Sequence, residues 1–250
     1  MPGKGFAPLS RGSSVSSFFF RTPRQRARKK STSWKLWLLR WTLYAAAAIV
    51  LVSLLLVVPL RWLEPPKSAF MLRYQEQGQK APAHHWVELE SISPAMARAV
   101  VAAEDQKFFV HHGFDLESIA DALTEERPRG ASTITQQTVK NLFLWPERSW
   151  LRKGIEAWLT LLAETFWPKK RILELYLNFA EFGRGIYGVD AAARSFYNLP
   201  PSRLSPYQAA QLTAVLPSPR RMSPRSPTPY LQQRTRHILN QMNLMGPLLL

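Results

Sequence analysis

Twenty consecutive residues without a charge, Trp41 to Leu60, constrain this chain more than any other feature. At about 1.5 Å per residue a helix of that length spans roughly 30 Å, the thickness of a bilayer's hydrocarbon core. The spacing predicts a transmembrane helix, counted with its flank as residues 41–62. Ahead of it lies Arg21-Thr-Pro-Arg-Gln-Arg-Ala-Arg-Lys-Lys30, then Lys35 and Arg40. The first 63 residues hold 11 of the 33 Lys and Arg and none of the 17 acids, so the charge of +16 is largely an N-terminal property. Basic flanks stay on the cytoplasmic side, which predicts a single pass with residues 65–250 outside. Trp34, Trp37 and Trp41 on one flank and Trp62 on the other suit the two headgroup zones, where amphipathic indoles reside.

A cleaved signal peptide also starts basic and continues apolar. Its apolar region is only about 7 to 15 residues and ends in a small-x-small site. Here the run is longer and passes into Pro59-Leu-Arg-Trp-Leu-Glu64. A nucleic-acid-binding tail is the other reading of the basic residues, but they adjoin a span and have little aromatic interleaving beyond the anchor tryptophans, so no nucleic-acid partner is expected. A hydrophobic content of 46% excludes an acidic disordered chain. The absence of Cys excludes a disulfide framework, a Cys-ligated metal and a thiol nucleophile, leaving His and carboxylates for any metal.

Residues 1–40 read as a basic, disordered cytoplasmic tail and 63–85 as a connector, with a single outer domain over 86–246. That domain is predicted to be mainly α. Ser93-Pro94 offers an N-cap and a Pro at the first helical position, opening a helix through Ala103. Further helices are expected over Leu116–Leu123, Ile134–Leu142, Leu151–Phe166, Arg171–Asn178 and Val189–Phe196, with strand-like alternation nearly absent. Ser205-Pro-Tyr-Gln208 is a capping box opening Ala209–Leu216, and Tyr230–Met245 keeps helical apolar spacing after a Pro-rich loop.

Three polar segments are candidates for chemistry. Glu104-Asp105, followed by Phe108, His111 and Gly113, is by itself an ordinary solvated helix end. The adjacent His111-His112 point about 100° apart on a helix, unlike an i, i+4 zinc pair. In Gly130-Ala-Ser-Thr-Ile-Thr-Gln-Gln-Thr-Val-Lys-Asn141, Ser132 and Thr133 offer hydroxyls and helix-start amides to an anionic or sugar ligand, with Gln136, Gln137, Lys140 and Asn141 within two turns. A plain cap with a solvated face has the same pattern. Arg152, Lys153 and Glu156 form a third group, in which Arg152 and Glu156 suit an i, i+4 ion pair.

Taken in order, these segments resemble the peptidoglycan glycosyltransferases of penicillin-binding proteins (glycosyltransferase family 51), in their monofunctional biosynthetic form. The family pattern Glu-Asp-x-x-Phe-x-x-His-x-Gly, then Gly-x-Ser-Thr-x-x-Gln-Gln with Lys-Asn, then Arg-Lys-x-x-Glu, is met at every fixed position. The likeness continues through Lys170-Arg-Ile-Leu-Glu-Leu-Tyr-Leu-Asn178, Gly183-Arg-Gly-Ile-Tyr-Gly188 and Leu216-Pro-Ser-Pro219. Departures are Ala131 where Gly is common, Asp190 and Gln208 where Glu is frequent, and Ser195-Phe-Tyr-Asn198 in place of a Tyr-Phe-Gly-Lys type segment.

The resemblance implies a lysozyme-like helical glycosyltransferase domain over 86–246 that polymerises lipid II onto a growing lipid-linked glycan chain. The 4-hydroxyl of one disaccharide attacks the anomeric carbon of a chain on undecaprenyl pyrophosphate, inverting it to a β-1,4 linkage. A sugar hydroxyl is a poor nucleophile and needs a carboxylate to take its proton; Glu104 matches the family's base. The departing pyrophosphate needs cations, which Lys140, Arg152 and Lys153 match. Glu156 matches the second family glutamate, either orienting those cations or helping to hold Mg or another divalent cation; no organic cofactor is implied. Asp105, Phe108, His111, Ser132, Thr133, Gln136, Gln137 and Asn141 carry over as shaping or binding the sugar and phosphate subsites.

The same resemblance implies the bacterial inner membrane, a periplasmic catalytic domain and partners in cell-wall synthesis, including transpeptidases. A transpeptidase domain is not expected, since Ser-x-x-Lys and Lys-Thr-Gly are absent. The nearest rivals are a lytic enzyme cleaving glycan, which would have no need of the cation set, and a non-enzymatic cell-wall scaffold. Leu142-Phe-Leu-Trp145-Pro146 with Trp150-Leu151 reads either as a surface dipping into the outer leaflet, as the family's mobile membrane-apposed region implies, or as core packing.

Overall fold

The structure is a computed structural model that describes residues 33–248 except Ile119 and residues 121–131. The tail before residue 33, half of the helix expected over Leu116–Leu123 and the Gly130-Ala131 turn lie outside the described residues. Two compact units divide the chain, residues 1–46 and 47–250.

Helix α1 runs Ser33–Val57 and is followed by a 3-10 turn, Val58–Arg61. It starts within the segment read above as tail. Trp34-Lys-Leu-Trp-Leu-Leu-Arg-Trp41 contains no Gly or Pro and is rich in good helix formers, so Lys35 and Arg40 interrupt the hydropathy without interrupting the helix. Trp34–Arg61 is long and apolar enough to cross a membrane, and Leu43, Tyr44, Ile49 and Leu55 are all exposed along it. A helix apolar all round and covered by protein only near its C-terminal end, at Ser53 and Val57, suits a lipid surrounding along the rest.

The second unit is mainly α. Among the described residues its helices include α2 Ala69–Glu76, α3 Pro94–Glu104, α4 Ile134–Phe143, α5 Trp150–Phe166, α6 Lys169–Phe179, α7 Val189–Tyr197, α8 Pro206–Val215 and α9 Pro229–Met245. A short antiparallel hairpin, β1 Glu181–Gly183 with β2 Ile186–Tyr187, pairs Glu181 with Tyr187. Helix α2 corrects the reading of 63–85 as a plain connector. Ser68 caps it by accepting from the Met71 amide, and only Met71 and Tyr74 are buried, too few positions to show a period. Ser93 stands before α3 as expected, yet its hydroxyl donates to the Leu204 carbonyl rather than capping the helix.

Helix α8 is the centre of one half of the core, buried from Ala209 to Val215, with α3 and α9 packed against it. The Ser205–Gln208 capping box forms as expected. The other half joins α4 to α5 and α6. One face of α6 ties the preceding chain down: Arg171 donates to the carbonyls of Leu60 and Leu63, Glu174 accepts from the Leu89 amide, and Asn178 exchanges two hydrogen bonds with Val87. These residues are three and four apart, so one helix face does this work.

Gly188, between the hairpin and α7, has φ +81, and a Cβ there would lie 2.6 Å from the Asn178 carbonyl oxygen. A backbone atom cannot swing aside. Gly188→Ala is therefore expected to destabilise the fold by about 2–4 kcal/mol, from the backbone strain and the clash together. Thermal unfolding of the purified variant checks it; an unchanged melting temperature contradicts it.

Candidate active site

Glu104 is the last residue of α3, half-buried and facing α4, α6 and α9. Its Oε2 accepts from Gln137 Nε2 at 3.0 Å, and its Oε1 is buried with no hydrogen-bond partner among the described residues, 3.6 Å from Arg234 Nη2. Gln137 is itself oriented, since its Oε1 accepts from the Tyr176 hydroxyl at 3.4 Å. Burial, with the nearby Glu104 carboxylate adding to it, pushes the Tyr176 phenol well above its ordinary value, so Tyr176 stays a donor. One carboxylate oxygen is thus held by an amide while the other has an unused lone pair, the arrangement a general base requires.

The second glutamate is engaged at both oxygens. Arg152 Nη1 lies 2.5 Å from Glu156 Oε2 and Lys153 Nζ 2.5 Å from Oε1, on the first two turns of α5. Ser149 caps that helix and fixes the register. The Glu156 side chain is 3% exposed. A carboxylate paired at both oxygens is suited to orienting the two cations beside it.

Lys140 stands between the two glutamates. Among the described residues it has no ion-pair partner within 4 Å, and its ammonium lies 5.8 Å from the Phe70 ring centroid. Burial lowers its pKa; Glu156 opposes the shift, Arg152 and Lys153 add to it, and Glu104 opposes it. Lys140, Arg152 and Lys153 against Glu156 leave an excess of positive charge. Gln137, Lys140 and Asn141 share the open face of α4, with Ser132 half-buried at its start.

The remaining candidates turn inward. Asp105 takes both oxygens to His111 Nε2, at 2.9 and 3.0 Å, and its Oδ2 also accepts from the Ile134 amide. His111 Nδ1 accepts from the Gly113 amide, which assigns the proton to Nε2. Burial, the largest effect, raises Asp105 despite these bonds. Phe108 is fully buried. Thr133 and Gln136 close a capping box on each other, and the Thr133 hydroxyl donates to the Gly113 carbonyl. Asp105, Phe108, His111, Thr133 and Gln136 thus help clamp α3 to α4, and the Gln136 amide nitrogen is the side-chain polar atom among them with no hydrogen bond to the described residues. Gly113 completes the clamp at φ +86, where a Cβ would meet Thr160 and Glu164 at 2.8 and 2.9 Å.

Leu142 and Leu144 are buried and Phe143 and Trp145 pack against the core, so core packing explains that part of the apolar segment. Trp150 and Leu151 are exposed, at 93% and 71%. Trp158 and Leu161 continue the same face of α5, and the Trp158 indole donates to Ser53. A recess of about 410 Å³ lined by Phe70, Arg73, Tyr74, Pro146 and Arg220 includes neither Glu104 nor Glu156. Tyr176 and Arg234 are the site residues that sequence reasoning missed as participants. Tyr176 sits inside the quoted Lys170–Asn178 motif, whereas Arg234 has no local signal.

Comparison with known proteins bears on the same residues. The family described as Transglycosylase matches residues 72–243. The chain is 50% identical over 234 residues, covering 90% of it and 92% of the relative, to a biosynthetic peptidoglycan transglycosylase of Xanthomonas campestris pv. campestris (strain B100). It is 49% identical to a protein of the same name from Aeromonas hydrophila subsp. hydrophila over 213 residues, 81% of this chain and 89% of that one. A third, from Salmonella arizonae, is 55% identical over 166 residues, 64% of this chain and 69% of the relative.

Proposed function

Because the chain belongs to the transglycosylase family and is a peptidoglycan transglycosylase of that family's mainly α, lysozyme-like fold, we propose that it polymerises lipid II into β-1,4 glycan strands by an inverting displacement with Glu104 as base. The observation that carries this is the division of the site into two unlike ends. At one end Glu104 Oε1 is buried and, among the described residues, free of hydrogen bonds. At the other stand Lys140 and the Arg152–Glu156–Lys153 cluster.

The reaction then runs from one end to the other. The acceptor's 4-hydroxyl gives its proton to Glu104 Oε1 while its oxygen bonds to the donor's anomeric carbon. The bond from that carbon to the pyrophosphate oxygen breaks, and its electron pair leaves with the lipid pyrophosphate. Lys140 supplies unneutralised positive charge where negative charge grows, and Glu156 holds Arg152 and Lys153 in place beside it. A neutral sugar leaving group has no use for such a cluster, which favours synthesis over lytic cleavage.

A divalent cation does not fit at Glu156 on protein ligands alone. Both its oxygens already face cationic side chains, and no group of three His or carboxylates occurs among the described residues. No step here runs through a metal.

The apolar helix fits a membrane-anchored enzyme. We infer a single pass in a bacterial inner membrane, with the N-terminus cytoplasmic, the catalytic domain periplasmic, and cross-linking left to partner transpeptidases. The exposed Trp150 and Leu151 would rest on the leaflet from which the lipid substrate is drawn. Trp150→Ser with Leu151→Ser is expected to raise the KM for lipid II several-fold in vesicles and little in detergent, with unchanged thermal stability. Equal effects in both media contradict that placement.

Offering the full chain labelled lipid II and, separately, preformed glycan tests the assignment. A ladder of long strands from the first and no fragments from the second is expected. Fragments from preformed glycan without a ladder would replace it with the lytic reading; neither product would favour the scaffold.

A further inference from the structure

Helix α4 passes three features in order. Gln137 meets Glu104, Lys140 stands about one turn further on, and Pro146, just past the helix, lines the recess that includes neither glutamate. Helix α2 makes the same connection. Its Phe70 ring centroid lies 5.8 Å from the Lys140 ammonium, and the same side chain lines the recess together with Arg73 and Tyr74 of the next turn. Phe70 is shared by the leaving-group cation and the recess, so the two are neighbours.

The walls of the recess are held in place by the protein itself. Arg220 Nε donates to both oxygens of Glu181, at 3.0 and 3.1 Å, and the Arg220 guanidinium lies 5.7 Å from the Tyr74 ring centroid. A Cβ at Gly185, where φ is +72, would lie 2.6 Å from the Tyr74 hydroxyl, so glycine lets the hairpin close on that ring. Arg73 is paired with Glu147 at 2.7 Å. Arg221, also in the lining, is exposed and among the described residues has neither an ion pair nor a side-chain hydrogen bond. Glu181 is the one carboxylate in the lining, and Arg220 neutralises it. The volume of about 410 Å³ falls in the roughly 300–1,000 Å³ range of small-ligand sites. Apolar walls from Phe70, Tyr74, Pro146 and Pro219 with one uncommitted guanidinium suit a ligand that has small apolar groups and a free carboxylate.

We propose that this recess seats the stem peptide of the donor, with Arg221 holding one of its carboxylates. The inference rests on the reading given above, in which the chain polymerises lipid II and the pyrophosphate leaves beside Lys140. In lipid II the anomeric carbon bonded to pyrophosphate belongs to the muramic acid ring. That same ring carries, through its lactyl ether, a short peptide with alanine methyls and several free carboxylates. The peptide therefore begins close to the reacting carbon and beside Lys140, where Phe70 leads into the recess. Phe70, Tyr74 and the two prolines cover the methyls, and the Arg221 fork takes a carboxylate. Seating the stem restrains the ring that bears it, so contacts to a part of the substrate that does not react hold the anomeric carbon in position.

The test crosses two substrates with variants of Arg221. The full chain, in detergent and in phospholipid vesicles, would be given lipid II with its whole stem and lipid II trimmed to the first alanine, and kcat/KM measured for wild type, Arg221→Gln, Arg221→Glu and Arg221→Lys. Wild type is expected to favour the whole stem by about tenfold, the worth of a hydrogen bond to a charged group. Arg221→Gln should cut that preference to about twofold by slowing the whole-stem substrate alone, since a neutral amide keeps only a weak hydrogen bond. Arg221→Glu, which repels a carboxylate, should abolish it, and Arg221→Lys should keep most of it. No preference in wild type, a preference that Arg221→Gln and Arg221→Glu leave unmoved, or an equal fractional loss on both substrates overturns the proposal. An equal loss confined to vesicles would also overturn it, giving the recess to a phospholipid headgroup. The two readings fail differently. A wild type that makes no polymer from either substrate removes the polymerase reading and this inference with it, whereas polymer made equally well from both removes only the seat for the stem.

Discussion

Replacing Glu104 by Gln should lower the polymerisation rate by about 10²–10⁴-fold, the contribution of a well-placed general base. The loss should fall on kcat, with KM for lipid II staying within a few-fold, because proton transfer belongs to the transition state and not to binding. Stability should change little. Gln is isosteric, can still accept from Gln137 Nε2 through its carbonyl oxygen, and gives up only an ion pair at 3.6 Å. Initial rates with labelled lipid II, read beside thermal unfolding of the same preparation, check both halves. A folded Glu104→Gln enzyme working at the wild-type rate contradicts the assignment of the base.

Lys140→Met carries the second large effect, a loss of about 10²–10³-fold in kcat, comparable to removing one preorganised donor from a site of developing charge. Met approximates the length of the lysine stem, so the partly buried position stays filled and the loss reports the charge. Lys153→Met should cost clearly less. The Lys153 side chain is 43% exposed and already neutralised by Glu156, whereas Lys140 has no ion-pair partner among the described residues. The comparison is internal: equal losses, or a larger one for Lys153→Met, contradict the placement of the leaving group beside Lys140.

Most of the helices were legible because burial repeats along them. Ile134–Phe143, Trp150–Phe166 and Pro229–Met245 all appear within a residue or two of where apolar spacing put them, and side-chain caps at Thr133, Ser149 and Thr228 mark their starts. Helix α2 was not legible, since eight residues with two core positions show no period. The start of α1 was misplaced because hydropathy and helicity are different properties: Lys35 and Arg40 end the first and not the second.

The site was legible at the level of which residues matter, less so of what each does. Asp105, His111 and Thr133 share motifs with the polar residues of the open face, yet they spend their side-chain hydrogen bonds inside the protein. Nothing in a one-dimensional pattern separates a carboxylate turned toward a neighbouring histidine from one turned toward a substrate. Arg234 lies 130 residues from Glu104 in the sequence and reaches it only because α3 and α9 pack side by side against α8. Contacts of that range have no local signature.

The linkage in the product tests the central claim, a single displacement with a base at one end and cations at the other. Strands made by the full chain from labelled lipid II would be digested with a muramidase specific for β-1,4 bonds and the fragments weighed. Complete conversion to disaccharide units is the expected result, because one displacement at an α-linked donor carbon inverts it. Strands that resist digestion and retain α bonds would contradict the account, since retention needs two displacements and a nucleophile where Glu104 is assigned as the base.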